Sequence, residues 1–409
     1  MNRRHFFAIL GGGALAMAAF RLWPDQGLLN PCLPAKLPQI LAGDDVVVSA
    51  LADLDASQLW DGHVHLIGTG DGGGGVWVNP HMRSILHPLQ FAQFKLYTNA
   101  ACADQASSVD QLYIERLIEL HEAMPEGARL LLLAFDHTYD ERGHQQPERS
   151  AFYTPNEYAA RIARQYPNRF EWIASIHPYR EDCVEALETA VAQGARAVKW
   201  LRPGMGMNPA SPLCDRFYEA MARFDVPLLS HAGEEKAVHG ANTRDYGNPL
   251  LLRRALDHGL RVIVAHCASL GEDLDIDSGR KDKRVNSFDL FARMMDEPRY
   301  EGLLFGEISA ITQINRAGPA LETLISRTDW HSRLINASDY PLPGVMPLFS
   351  LRGMMHKGYI TKKQAAVLSG LRKHHVLLFD LILKRCLQIS DKKFHKTIFH
   401  TRHVFDKTV

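Results

Sequence analysis

The sequence lacks several features that would assign it to common protein classes. Its six cysteines include no Cys-x-x-Cys pair, which argues against a zinc-ribbon or thioredoxin-like motif and gives no sign of a disulfide scaffold. Positive and negative side chains balance at 46 each, so the charge indicates no nucleic-acid partner. There is no Gly-x-Ser-x-Gly elbow and no His-Glu-x-x-His helix, which removes two common hydrolase motifs. The composition that remains is that of an ordinary globular protein.

The first 22 residues have the composition of an export signal. Arg3 and Arg4 precede an apolar run to Phe20, which is shorter than the roughly 20 residues of a membrane span and contains three glycines. The order Arg-Arg-x-Phe-Phe resembles a twin-arginine signal, although Asn2 stands where Ser or Thr is usual. We therefore expect contact with the export machinery and a periplasmic or otherwise exported protein; an uncleaved membrane anchor and a disordered start are alternatives. Residues 23–50 contain four prolines and are expected to be a linker.

Apolar runs and amphipathic runs alternate over residues 51–389. This alternation predicts an α/β fold, a single (β/α)₈ TIM barrel with an insertion after its first strand, preceded by the signal segment. A doubly wound open sheet is the alternative, but it would gather its ligands at one switch point. The predicted strands are residues 58–66, 128–136, 169–177, 195–201, 226–231, 260–266, 302–308 and 333–338.

Two segments stand outside this alternation. Residues 67–108 form a glycine-rich insertion, which would lie over the barrel mouth as a lid or substrate wall. It contains Gly68-x-Gly70-x-x-Gly73, but no helix signal follows, so a dinucleotide site is not expected. Residues 390–409 form a basic C-terminal extension, either a solvated or packing segment or a contact to a partner subunit in a homo-oligomer.

Polar residues end several of the predicted strands. His63 and His65 are two positions apart on one strand, so their imidazoles point to the same face. Imidazole is the commonest metal ligand among side chains. Four further apolar runs end in one polar residue each, and the carboxyl ends of barrel strands meet at one mouth. These residues are Lys199, His231, His266 and Asp339.

The five motifs together resemble the amidohydrolase superfamily, in particular its amidohydrolase-related branch of metal-dependent hydrolases and decarboxylases. They are Asp-Gly-His-Val-His-Leu, Val-Lys-Trp-Leu, Ser-His-Ala-Gly-Glu, Ala-His-Cys and Ser-Asp-Tyr-Pro, in the family's order. The resemblance implies that His63, His65, His231 and Asp339 bind a first metal. It implies that His266 either binds a second metal or polarises the substrate carbonyl.

The resemblance also implies a role for Lys199, which some family members carboxylate to a carbamate bridging two metals. A carbamate is an anionic ligand, whereas a free ammonium is a poor neighbour for a dication. An ammonium paired with a carboxylate or with substrate is the equally open alternative. One or two divalent ions per chain are therefore expected, and the N and O donors favour Zn²⁺ without excluding manganese or iron.

Such a site predicts hydrolysis of a carboxylic ester, lactone or amide bond in a small molecule. A dication lowers the pKa of bound water to about 7. Asp339 would carry the proton to the leaving group, and His266 would stabilise the oxyanion, so these two are the predicted catalytic residues. Decarboxylation of a small aromatic or unsaturated acid and a non-catalytic metal- or solute-binding barrel are the alternatives. Further polar residues expected at the mouth are Asp136, His137, His177, Arg202, Glu234 and Glu235, with Arg202 holding a substrate carboxylate.

Overall fold

Eight short parallel strands lie where the sequence predicts them. The structure is a computed structural model, and it describes residues 24–104, 108–241 and 243–406. The export-signal prediction for residues 1–22 therefore lies outside the described residues. In chain order the strands are β1 (Trp60–His65), β2 (Trp77–Val78), β3 (Arg129–Leu133), β4 (Phe152–Tyr153), β5 (Phe170–Ile173), β6 (Val198–Trp200), β7 (Leu228–His231), β8 (Val262–Ala265), β9 (Glu272–Leu274), β10 (Arg284–Asn286), β11 (Leu304–Glu307) and β12 (Leu334–Ile335).

The parallel strands close into a ring. β1, β3 and β5 form one sheet, and β6, β7, β8, β11 and β12 form another. A parallel bridge between Ala174 and Val198 joins β5 to β6, with Lys199 N donating to Ala174 O at 2.7 Å. A second bridge, between Val64 and Tyr340, joins the chain after β12 to β1. The sequence order of the strands is also their order around the ring, as a barrel requires and a doubly wound sheet does not.

The described residues contain fifteen α-helices, of which the last packs into the bottom of the barrel. They are α1 (Gln39–Ala42), α2 (Asp45–Leu51), α3 (Pro88–Ala100), α4 (Val109–Glu122), α5 (Asn156–Gln165), α6 (Cys183–Ala192), α7 (Arg202–Met205), α8 (Asp215–Arg223), α9 (Arg253–Asp257), α10 (Ser287–Met295), α11 (Pro319–Ser326), α12 (Leu351–His356), α13 (Lys362–His374), α14 (Val376–Cys386) and α15 (Arg402–Phe405). Among the described helices, none has both the length and the apolar character to cross a bilayer.

The residues before β1 differ from the expected linker. They contain α1 and α2, and Asn30 N donates to Asn99 Oδ1 at 2.8 Å. A disulfide joins Cys32 to Cys102, 70 residues further along. Cysteine spacing gave no sign of a disulfide, and this bond corrects that expectation. The two cysteines are so far apart in sequence that only tertiary packing brings them together. The segment is therefore fixed to the end of α3 in the insertion.

The glycine-rich loop after β1 encloses a carboxylate. Asp110, at the start of α4, accepts hydrogen bonds from the backbone N–H groups of Thr69 (2.7 Å), Gly70 (3.2 Å) and Gly72 (3.1 Å). A Cβ added to Gly68 or Gly72 would come within 3.0 Å of Asp110. The N–H groups that a dinucleotide fingerprint would direct to a pyrophosphate are thus used inside the protein. This agrees with the exclusion of a nucleotide site.

The C-terminal extension packs into the bottom of the barrel. Val404 and Phe405 are buried, and they join the cluster of residues that fill the barrel below its mouth. Trp60 N donates to Thr401 Oγ1 at 3.1 Å, so the extension also contacts the beginning of β1. A Cβ on Gly62 would lie only 2.5 Å from the Phe405 ring, which explains why the second residue of the first motif is glycine.

We expect Phe405→Ala to lower the free energy of unfolding by about 3 kcal/mol or more, the usual cost of removing a buried aromatic ring. The cavity would open directly beneath β1. Denaturant unfolding followed by circular dichroism measures the change, and Leu213→Ala on the outer surface is the matched control. An equal stability of the two variants would show that the extension does not seal the barrel.

Candidate active site

The predicted functional residues face the barrel interior because of strand alternation. Side chains two apart on a strand share a face. Ala197, just before β6, and Leu229 on β7 lie in the apolar cluster that fills the barrel, and Lys199 and His231 follow them two positions later. The same apolar runs that build the core therefore direct their last residues into the mouth.

Asp339 is at the centre of the site. Its Oδ1 lies 3.3 Å from His63 Nε2 and 3.2 Å from His65 Nε2. Ligand atoms of these three residues all lie within 4.8 Å of one another, as a metal site requires. Asp339 has a φ of 59° and His266 a φ of 57°, a left-handed conformation that costs energy in a residue with a Cβ.

His231 and His266 complete the cluster. Their ring centroids are 5.3 Å apart, and the ring of His266 stacks on that of His63 at 5.4 Å. His266 Nε2 lies 3.7 Å from Asp339 Oδ2, and its Nδ1 lies 2.7 Å from Ser309 Oγ. His231 Nδ1 lies 3.4 Å from Glu235 Oε2. Within the described part of the chain, His231 Nε2 is buried without a hydrogen-bond partner.

Glu307 is a site residue that the sequence interpretation missed. It ends β11, and its Oε2 lies 2.9 Å from His63 Nδ1 in a fully buried contact. Burial alone would raise the pKa of Glu307, but His63, Ser309 and Lys199 outweigh it and lower that pKa. The strand carried the same signal as the others, an apolar run that ends in one polar residue. The rule that selected Lys199 and His231 would also have selected Glu307.

The residues present fit a divalent cation. A carboxylate only accepts, so Glu307 fixes the proton of His63 on Nδ1. In this tautomer the lone pair of Nε2 faces Asp339 Oδ1 at 3.3 Å, where a cation can bind both acceptors. The unpartnered Nε2 of His231 offers a further donor atom. Three imidazoles and one carboxylate form a typical N/O donor set for Zn²⁺.

Burial controls the charges of these groups. It lowers the pKa of His65 to about 4 and those of His231 and His266 well below the usual range. The three rings are therefore neutral near pH 7 and present lone pairs. Burial would raise the pKa of Asp339, but His63, His266 and His65 together hold it well below its usual value.

Lys199 lies at the floor of the same pocket with an exposed fraction of 2%. Burial lowers the pKa of its amine to about 8, and Glu307, Asp339 and Glu235 act in the opposite direction. No hydrogen bond from Nζ is found among the described residues. Lys199 is thus closer to neutrality than a free lysine, while the three carboxylates still favour its ammonium form.

The structure places most of the predicted substrate contacts elsewhere. Arg202 is fully buried, and its guanidinium donates to the backbone carbonyls of His231, Asn248 and Gly247. These carbonyls use its donors, and Arg202 does not line the pocket, so its predicted role as a carboxylate holder gains no support from this position. His177 Nε2 lies 3.0 Å from the backbone oxygen of Met205.

Most of the remaining predicted substrate contacts also lie away from the pocket. His137 stacks on Tyr153 at 4.2 Å, and Glu234 pairs with Lys236 at 3.1 Å. Asp136 is buried and pairs with Arg180 at 3.0 Å. None of His137, His177, Arg202, Glu234 and Asp136 lines the pocket above the histidines, whereas Glu235 does.

The pocket encloses about 680 Å³, its opening to solvent included. His63, His65, Lys199, His231, His266 and Asp339 line it together, so the structure brings all six predicted metal residues to one cavity. The insertion and the loop after β7 contribute to its walls through Met82, Phe94, Tyr97 and Val238.

The chain belongs to the amidohydrolase family, whose model matches residues 60–345. This confirms the resemblance inferred from the five motifs, all of which lie inside the matched range. No curated protein matches the chain by sequence.

Several solved structures are similar to the chain. An uncharacterised TIM-barrel protein from Bordetella bronchiseptica shares 15% identity, with a TM-score of 0.45, over 77% of this chain and 96% of that chain. A probable 2-pyrone-4,6-dicarboxylic acid hydrolase from Acinetobacter baumannii shares 14%, with a TM-score of 0.43, over 75% and 95%. A 5-carboxyvanillate decarboxylase from Novosphingobium aromaticivorans, with bound manganese, shares 13%, with a TM-score of 0.43, over 78% and 95%.

Proposed function

We propose that this chain is a metal-dependent hydrolase that cleaves a carboxylic ester, lactone or amide bond in a small molecule. One observation carries the proposal: four histidines and Asp339 converge at the carboxyl ends of four barrel strands, at the floor of one pocket. Membership of the amidohydrolase family supports it.

His63, His65, His231 and Asp339 would hold a divalent ion, for which the donor set favours Zn²⁺. When bound, such an ion supplies Lewis acidity and makes water a usable nucleophile near neutral pH. Lys199 is the candidate for carboxylation and for holding a second ion. His266 would either join it as a ligand of that ion or keep a proton on Nε2 and act on the substrate.

The protein's own groups supply the proton transfers. Asp339 has a low pKa and is therefore ionised, so it can accept a proton from the attacking water and pass it to the leaving group. His266 is held by Ser309 Oγ at 2.7 Å. When this hydroxyl donates to Nδ1, Nε2 carries the ring proton and can donate it to a developing oxyanion.

A substrate panel in water enriched in heavy oxygen tests the reaction. It contains lactones, aryl esters, N-acyl amides and aromatic carboxylic acids, and the metal-loaded protein is used. Hydrolysis is expected to place heavy oxygen in the product acid. Release of CO₂ from an aromatic acid, without heavy oxygen in the product, would contradict the proposal and favour decarboxylation.

Glu307→Gln is expected to weaken metal binding 10- to 100-fold, the usual effect of losing a carboxylate that orients a histidine ligand. The amide introduced by this substitution is not an anionic acceptor for His63 Nδ1, so the tautomer with a free Nε2 loses its support. Equilibrium dialysis against Zn²⁺ measures the affinity. Glu219→Gln, an exposed side chain on α8, is the matched control, and equal affinities in both variants would argue against this orienting role.

We further propose that residues 1–22 direct export by the twin-arginine route, which carries folded proteins. The Cys32–Cys102 disulfide supports an oxidising compartment, since such bonds persist outside the cytosol. Replacing Arg3 and Arg4 by lysine is expected to retain the protein in the cytoplasm on cell fractionation. Unchanged delivery to the periplasm would exclude this route.

A further inference from the structure

The walls of the active-site pocket are almost entirely apolar. Above the histidines they are built from the insertion, β4, and the loops after β6, β7 and β12. The side chains are Ile67, Val78, Met82, Phe94, Tyr97, Phe152, Leu201, Ala237, Val238, Pro341 and Leu342. Most of the larger ones are buried even without a ligand, so the apolar wall is part of the packed structure.

The roof of the pocket is also fixed. Tyr97 OH donates to Ala237 O at 2.7 Å, and Gln93 Nε2 donates to Lys236 O at 3.0 Å. These two bonds attach α3 of the insertion to the loop after β7. Phe94 on α3 and Val238 on that loop both line the pocket. The space above the metal donors therefore keeps an apolar boundary, and its polar lining is confined to the floor apart from the engaged Tyr97 hydroxyl.

No guanidinium lines this pocket among the residues that the structure describes. Arg202 donates to backbone carbonyls. Arg316 donates to Ser269 Oγ at 3.1 Å, and its charge acts on Glu235 and Asp339 from behind the lining. The one ammonium is Lys199, which lies on the floor near Glu307, Asp339 and Glu235. A carboxylate held against the apolar wall would thus be desolvated without a cationic partner, which is strongly unfavourable.

We propose that the substrate of this site is an ester, lactone or amide whose acyl or ring portion is apolar and uncharged. The proposal rests on the proposed hydrolytic function for the bond that is cleaved. The apolar wall determines the rest of the substrate, because each methylene buried against it favours binding and no group on it binds an anion.

Two ketones of equal length test the wall without any hydrolysis. 2-Octanone and 7-oxooctanoate differ only in the terminal methyl or carboxylate, and isothermal titration into the metal-loaded protein measures both. We expect 2-octanone to bind at least about 100-fold more tightly. We also expect it to bind more tightly than 2-hexanone by about fourfold for each methylene. Equal binding, tighter binding of the carboxylate or no binding of either ketone would overturn the proposal.

Variants of the wall localise the effect. Phe94→Ala and Phe152→Ala, made separately in case one fails to fold, are expected to lower 2-octanone affinity about tenfold and leave 2-butanone affinity unchanged. Leu201→Arg is expected to shift the preference toward 7-oxooctanoate. Leu213→Ala on the outer surface is the control. Retained 2-octanone affinity in both folded alanine variants would place binding elsewhere and contradict the proposal.

Hydrolysis assays separate this inference from the function on which it rests. p-Nitrophenyl hexanoate and mono-p-nitrophenyl adipate form a matched substrate pair. If the adipate is hydrolysed equally well or better, the function stands and the apolar substrate class fails. If the ketones bind as expected but neither ester nor the wider panel is hydrolysed, the wall inference stands and the hydrolytic function fails.

Discussion

Asp339→Asn is expected to lower kcat at least about 1,000-fold, within the range for losing a positioned general base. The amide keeps an oxygen for a metal but cannot accept a proton. Metal content should therefore remain close to that of the unchanged protein, while turnover of every substrate in the panel disappears. Steady-state kinetics together with elemental analysis measures the two effects on the same sample.

The matched control for this substitution is Asp282→Asn, at a side chain that is 84% exposed. It should keep full activity. An Asp339→Asn protein that binds metal and retains more than about a tenth of its activity would show that the proton is carried by another group.

Lys199→Ala is expected to reduce the bound divalent ions from two per chain to one and to abolish most of the activity. The reason is that a carbamate on Lys199 would supply an anionic ligand at the floor of the site, where burial has already lowered the amine pKa to about 8. Acetate or formate should restore part of both the metal content and the activity. Elemental analysis with and without the added carboxylate measures this.

Lys199→Arg provides the control for charge, because it retains a cation but cannot form a carbamate. Its metal content and activity should match those of the alanine variant without added acetate or formate. One ion per chain in the unchanged protein and in both variants would make Lys199 an ordinary amine and the site mononuclear.

The barrel and most of the metal donors were predictable from the sequence for one physical reason. In a parallel barrel each strand is buried on both faces, so it appears as a short apolar run, and its last inward residue reaches the mouth. All eight runs became strands, and His63, His231 and Lys199 reached the site by this rule. The family match then supported the interpretation of these strand-end residues as one active site.

Other features depended on contacts that no local pattern contains. Arg202 follows β6 as a ligand would, but it begins α7, and its donors are used by the backbone carbonyls around His231. Cys32 and Cys102 meet because the segment before β1 packs on the insertion. Phe405 fills the barrel from the far end of the chain, and only the close approach of Gly62 connects it to the first motif. In each case the partner is distant in sequence.

Anomalous diffraction from crystals grown with Zn²⁺ would test the metal centre most directly. Data collected above the zinc absorption edge should show a peak at about 2.0–2.2 Å from Nε2 of His63, His65 and His231 and from a carboxylate oxygen of Asp339. The same crystals of Asp339→Asn should keep the peak. A fully active protein with no peak between these four side chains, or with its zinc bound elsewhere, would contradict the account.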